Sequence, residues 1–132
     1  MNFTNIKSSV IILLLFLSCS CTEEPGIDQE LFGVWALSEQ TVDGSSIVLS
    51  ACEKQSAIEF QEDNFCILFD ACTGDSVFSG WNYNYEMINI AELLPAAFYI
   101  ESLDANSLVI KRNDITLEGD LQETVLSYSK KN

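Results

Sequence analysis

From Leu31 to the C-terminus, apolar side chains recur at every second position, and residues that favour tight turns separate the runs. A period of two sends alternate side chains to opposite faces of an extended chain, so the pattern calls for strands with one buried face. The runs are 32–38, 47–49, 57–61, 65–69, 77–85, 87–90, 98–103, 108–112, 115–117 and 121–128. Asp43-Gly44 is a strong hairpin pair, and Glu62-Asp63-Asn64, Thr73-Gly74-Asp75, Asp104-Ala105-Asn106, Asn113-Asp114 and Gly119-Asp120 supply further turns. Helix is expected at most over 91–94, where Pro95 stops it. Short strands joined by tight turns argue for an all-β, antiparallel up-and-down meander. Such a meander protects its edges best by closing into a barrel, here of about eight to nine strands.

Charge and composition exclude several function classes. Twenty Asp and Glu stand against six Lys and Arg, a net charge of −14. A chain so acidic does not bind nucleic acid generally, which takes a positive face that displaces counterions from phosphates. There is no histidine, and Arg112 is the single arginine. His-based triads, His-ligated metals and arginine clamps on phosphate are therefore excluded. Hydrophobic residues make up 48% of the chain, enough for a packed core.

Residues 1–18 have the form of an export signal: a polar start with one cation, Lys7, then the apolar run Val10 to Leu17. That run of about 8 residues spans roughly 12 Å as a helix, too short for a hydrocarbon core of about 30 Å. The segment Phe16-Leu17-Ser18-Cys19 resembles the lipobox of bacterial lipoproteins. The resemblance implies cleavage after Ser18 and diacylation of Cys19, with Cys21 the weaker candidate. Two or three acyl chains hold a protein firmly to a bilayer. Residues 19–30, with Glu23-Glu24-Pro25-Gly26, then form a flexible tether, and 31–132 the barrel. The acidic cluster resembles the surface-export signal of Bacteroidetes lipoproteins, and Ser20 after Cys19 resembles outer-membrane sorting. The expected location is the outer membrane, lipid-anchored, with display at the cell surface.

Leu31-Phe32-Gly33-Val34-Trp35 resembles the Gly-x-Trp opening of lipocalins and their bacterial relatives. The order of lipobox, Gly-x-Trp, Asp-Gly turn, Cys52, Ile58-x-Phe60, Cys72, Ser79-Gly80-Trp81 and a final hydrophobic meander resembles the lipocalin-like domain lipoproteins of the Bacteroidetes. The resemblance implies that Gly33 and Trp35 close one end of the barrel. Trp35 would stack there with a cation from a late strand, Lys111 or Arg112; the plainer reading of Trp35 is a core aromatic.

With Cys19 lipidated, Cys21, Cys52, Cys66 and Cys72 allow three full pairings. If Ile58 and Phe60 share a face with Ile67 and Phe65, Phe60 lies opposite Phe65, and Cys52 faces Thr73, next to Cys72. Cys66 then faces Glu59, about seven residues or roughly 23 Å along the strand from Cys52, whereas a disulfide spans about 5.5 Å between α-carbons. A Cys52–Cys72 bridge is therefore expected, as the resemblance also implies. Cys66 remains a buried or half-buried thiol. A thiolate metal site from Cys52, Cys66 and Cys72 lacks the usual paired spacing, so no metal or cofactor is expected.

Trp81, Tyr83 and Tyr85 form an aromatic stripe at strand spacing, with Phe60, Phe98 and Tyr99 as neighbours. If the barrel is hollow, Trp81, Tyr83, Tyr85, Phe60 and Tyr99 line a cup for a small apolar ligand. If it is solid, they fill it; a third arrangement turns the stripe outward as a binding surface. Glu59 and Glu101 are the mid-strand carboxylates that a two-acid hydrolase would use, and Asp70 to Asp75 falls short of a calcium loop. The expectation is binding without catalysis: a small apolar ligand in the barrel, or else a filled barrel acting as a protein-interaction or protease-inhibiting module with an unknown protein partner. The lipid anchor makes the membrane the other partner.

Overall fold

A computed structural model describes residues 26–93 and 97–132, with the side chains of Ile27 and Asp28 left aside. The export signal, Cys19 and Cys21 lie outside the described residues. One turn of helix, α1 (Ile27–Leu31), precedes nine strands: β1 (Gly33–Val42), β2 (Ser45–Ile47), β3 (Ala57–Phe60), β4 (Phe65–Asp70), β5 (Asp75–Asn84), β6 (Met87–Ile90), β7 (Ala97–Leu103), β8 (Ser107–Ile115) and β9 (Leu121–Lys131). All pairings are antiparallel. β9 returns to pair with β1, so β1 and β3 to β9 form a closed barrel of eight strands, with β2 as an extra strand. Closure leaves few unpaired backbone groups exposed.

β1 is the strand on which closure depends. One of its edges pairs with β9 from Val34 to Val42, interrupted by a bulge at Ser38. Its other edge pairs first with β3, over Gly33–Ala36, and then with β2, over Gln40–Val42. Asp43 and Gly44 have φ of 50° and 76°, the left-handed pair that a two-residue hairpin requires. That turn is the Asp-Gly expected from sequence.

Burial follows parity. β3 and β6 each alternate half-buried with buried, and β8 does so through Ile110. The inward residues Leu31, Trp35, Phe60, Cys66, Trp81, Ile88, Ile90, Phe98, Leu108 and Ile110 make one continuous core.

The structure corrects the sequence reading at four places. The β3–β4 register is shifted by one residue: Phe60 faces Cys66 and Ile58 faces Leu68, in place of Phe65 and Ile67. The turn is the cause. Asp63 and Asn64 both take positive φ, and Gln61 N–H donates to Phe65 C=O at 2.9 Å, so the loop takes up one more residue. A one-residue shift exchanges the faces of a strand. Phe65 is therefore 59% exposed, and the small Cys66 takes the inward place beside Phe60.

Second, Asn113-Asp114 is not a turn: β8 runs unbroken to Ile115, paired residue by residue with β9. The chain reverses later, around Gly119, where φ is +91°. Third, Tyr85 has left β5. It forms a tight turn with Glu86, both at positive φ, and points into solvent. Fourth, 91–93 is a turn rather than helix, and the helix lies instead at α1, where Leu31 is fully buried.

Candidate functional site

The two ends of the barrel differ. At the end that carries α1, Trp35 is fully buried, and its indole Nε1 donates to the Leu31 carbonyl at 2.7 Å. Lys130 Nζ lies 4.9 Å from the Trp35 ring centre and donates to the Glu30 carbonyl at 3.2 Å. Gly33 has φ +121°, and a β-carbon there would stand 2.9 Å from Lys130 Cε. Gly33 is thus the gap through which the lysine stem reaches the indole. The cation over Trp35 is Lys130 and not Arg112 or Lys111, because of the late strands it is β9 and not β8 that pairs with the start of β1, placing Lys130 opposite Trp35.

Above this plug the interior is solid. Trp81 packs edge-on against Phe60 at 5.0 Å and against Phe32 at 6.2 Å, and its Nε1 donates to the Gln61 carbonyl at 3.3 Å. Tyr83 packs half-buried against the core. Tyr85 is 86% exposed. Tyr99 is 46% exposed because its neighbour Phe98 takes the inward position on β7. The five residues expected to line a cup are therefore split. Phe60 and Trp81 fill the base, Tyr85 and Tyr99 lie outside, and none lines the cavity.

The cavity lies toward the other end. It measures about 590 Å³ and has apolar walls from Leu37 of β1, Ile58 of β3, Leu68 of β4, Phe98 of β7, and Leu126 and Tyr128 of β9. Its mouth is set by the β2–β3 loop, the β4–β5 turn and Leu93, with Glu53, Asp70, Thr73 and Asp75 at the rim. The Cys52–Cys72 disulfide, 5.0 Å between α-carbons, ties that loop to that turn. The expected bridge is present, although the β3–β4 register differs by one residue from the expected pairing.

Arg112, on the inward face of β8, is the single cation in the cavity wall. Its Nε lies 3.0 Å from Asp114 Oδ2, but Nε has no aligned hydrogen bond, and Asp114 Oδ1 has none either. The guanidinium carbon stands 5.9 Å from the Phe98 ring centre. Burial pushes the Tyr128 hydroxyl well above the ordinary tyrosine range, with the nearby Arg112 charge pulling weakly the other way. Tyr128 therefore stays neutral. At the rim, Glu53 is held below the usual carboxylate range by hydrogen bonds from Ser50, whose N–H donates at 2.7 Å.

Other candidates resolve simply. Cys66 is a buried free thiol pushed up to about 11 by desolvation, with Ser79 as a hydrogen-bond partner. Glu59 accepts a hydrogen bond from Gln61, and Glu101 pairs with Lys111 at 3.2 Å, so neither faces the cavity. Among the described residues no three acids or cysteines gather as a metal site, and no helix is long and apolar enough to cross a membrane. Leu37, Leu68, Arg112, Leu126 and Tyr128 were missed as cavity residues. Their signal was inward parity near the mouth end of each strand, and for Arg112 its being a cation on that parity.

A closed antiparallel up-and-down barrel of eight strands is a lipocalin-like fold. The structure is similar to bovine odorant binding protein in complex with its natural ligand, with a TM-score of 0.51 and 14% identity, covering 83% of this chain and 76% of that one. At that identity the likeness is one of fold. No protein-family model matches the chain, and no curated protein matches it.

Proposed function

We propose that this protein captures a small, mainly apolar molecule in the cavity between Ile58, Leu68, Phe98, Leu126 and Tyr128. The observation that carries this reading is the unfilled volume of about 590 Å³ above a solid base. Ligand sites commonly enclose about 300–1,000 Å³ with apolar walls and a few polar groups. A fold built only for rigidity would pack that space, since voids forgo contact energy. The bovine neighbour was solved with its natural ligand, which is in keeping with a barrel used as a container. No step of catalysis is assigned. We further propose that Cys19 carries a lipid that holds the barrel at the outer membrane, with its mouth open to the surroundings.

The test uses N-phenyl-1-naphthylamine, whose emission rises on entering an apolar site. Saturable uptake by the wild-type protein is expected. Leu68→Trp should abolish uptake while leaving the circular dichroism spectrum unchanged, because the added volume enters empty space. Uptake that survives Leu68→Trp would place the site elsewhere. Incorporation of labelled palmitate that disappears in Cys19→Ala is the corresponding check on the anchor.

A second reading, an interaction module, is favoured by one observation. Phe65 and Phe78 stand exposed on the outer face of β4 and β5. Phe78→Ser should leave probe uptake unchanged if the cavity is the site and lower it if the probe is held on this outer face, so the two readings separate by experiment.

A further inference from the structure

Below the acidic rim the cavity wall is apolar apart from Arg112, the Tyr128 hydroxyl and Ser56, whose hydroxyl already accepts from Ala71 N–H. The guanidinium reaches Asp114 through a contact of 3.0 Å that is poorly aligned for hydrogen bonding, leaving Nε and Asp114 Oδ1 without partners. Beyond this ion pair, Arg112 has no polar partner among the described residues, and its side chain keeps 30% of its accessible surface. Phe98 supports the group from one side at 5.9 Å. A guanidinium has five N–H donors in a fixed plane and no acceptor. Nε itself is enclosed against Asp114, so the donors that the fork has left for the chamber are its terminal N–H groups. Native proteins seldom leave such a group without an acceptor.

The acceptor that fits is set by the surrounding charge. Asp114 offsets the Arg112 charge locally, so the pair presents hydrogen-bond donors with little net field. Glu53, Asp70 and Asp75 stand at the mouth, and the whole chain is at −14. A carboxylate ligand would pass three acids to reach a cation already neutralised. An ammonium ligand would meet the guanidinium donors first, because the enclosed Asp114 carboxylate is not part of the cavity wall, and two of the rim acids are engaged already, Glu53 with Ser50 N–H and Asp70 with Cys72 N–H.

We infer that the cavity selects a neutral apolar molecule bearing one carbonyl-type acceptor, such as an ester, ketone or amide. Arg112 donates to that oxygen just below the mouth, and the apolar remainder points down toward Leu126 and Tyr128. This inference rests on the reading of the cavity as a ligand site, which probe uptake tests separately.

The experiment is displacement of N-phenyl-1-naphthylamine by four molecules of matched chain: methyl decanoate, decane, decanoate and decylamine. Methyl decanoate should displace the probe at about ten-fold lower concentration than decane or either ion, the advantage of one hydrogen bond to a charged donor. In Arg112→Met the advantage over decane should shrink to about two-fold while probe uptake persists. Arg112→Met strands Asp114, so the double variant Arg112→Met/Asp114→Asn is tested beside it and should give the same loss. Equal displacement by decane and methyl decanoate in the wild type overturns the inference and leaves the cavity reading standing. So does strongest displacement by decanoate, lost in Arg112→Met, or by decylamine. Absence of probe uptake by the wild type overturns both.

Discussion

Gly33 holds a backbone conformation that side chains rarely adopt, and Lys130 occupies the space its side chain would need. Gly33→Ala therefore meets both backbone strain and a contact with Lys130 Cε. A loss of about 1–3 kcal/mol is expected, the usual scale for a strained φ. Urea denaturation should show it as a lower midpoint at unchanged slope. Cys66 gives a pH dependence whose sign is fixed by burial. Its thiol ionises at about 9.0 when unfolded and at about 11 when folded. Below pH 9 both states keep the proton and stability is intact. As pH rises from 9 toward 11 the unfolded chain loses a proton that the folded chain keeps, so stability falls, by about 2–3 kcal/mol in all. Tyr128, also shifted upward, acts in the same direction at higher pH. Cys66→Ala should flatten the slope of urea midpoint against pH over that window; an unchanged slope would assign it to other groups.

Among the elements, the β2–β3 loop and the β4–β5 turn owe their relative placement to one covalent link. Cys52 and Cys72 are separated by 20 residues in sequence. On the chain-entropy model a loop of that length stabilises by about 3 kcal/mol. Cys52→Ser/Cys72→Ser should lose about that much in urea and speed amide exchange over 50–56 and 71–75 first. Equal acceleration across the base strands would mean that the link holds more than the mouth. Elements of this kind were legible where chemistry is local. Period-two alternation located eight of the nine strands, whereas β2 (Ser45–Ile47) meets the expected run 47–49 only at Ile47 and the separate run 115–117 is not formed; Asp43-Gly44 announced its hairpin. Register was not legible at β3–β4, because it depends on which residue of the turn takes positive φ, and Asp63 and Asn64 both do so. Asn113-Asp114 looks like a turn by residue type, yet the ladder to β9 overrides that preference.

At the scale of the whole molecule, the open question from sequence was whether the middle is solid or hollow, and the structure divides it by height. Aromatic volume is readable in a sequence, but its position along a barrel axis is not. Axial position depends on shear and on where each strand starts relative to its neighbours. That is why Trp81 and Phe60, correctly read as inward, fill the base, while the wall of the chamber falls to leucines and Tyr128, which carry no distinctive pattern. The division predicts a gradient in native-state hydrogen exchange. Amides of β3 and of β1 near Trp35 should exchange slowest, and those of β8 and β9 near Gly119 fastest, since local stability follows packing. Uniform protection along the axis would count against it.

The Trp35–Lys130 plug makes the chamber a blind alley. A guest can depart only by retracing its arrival, so whatever part enters last must be released first. For the guest proposed above, with its polar head nearest the exit, residence time would be governed by the event at Arg112, and lengthening the buried tail would tighten the hold without adding a second gate.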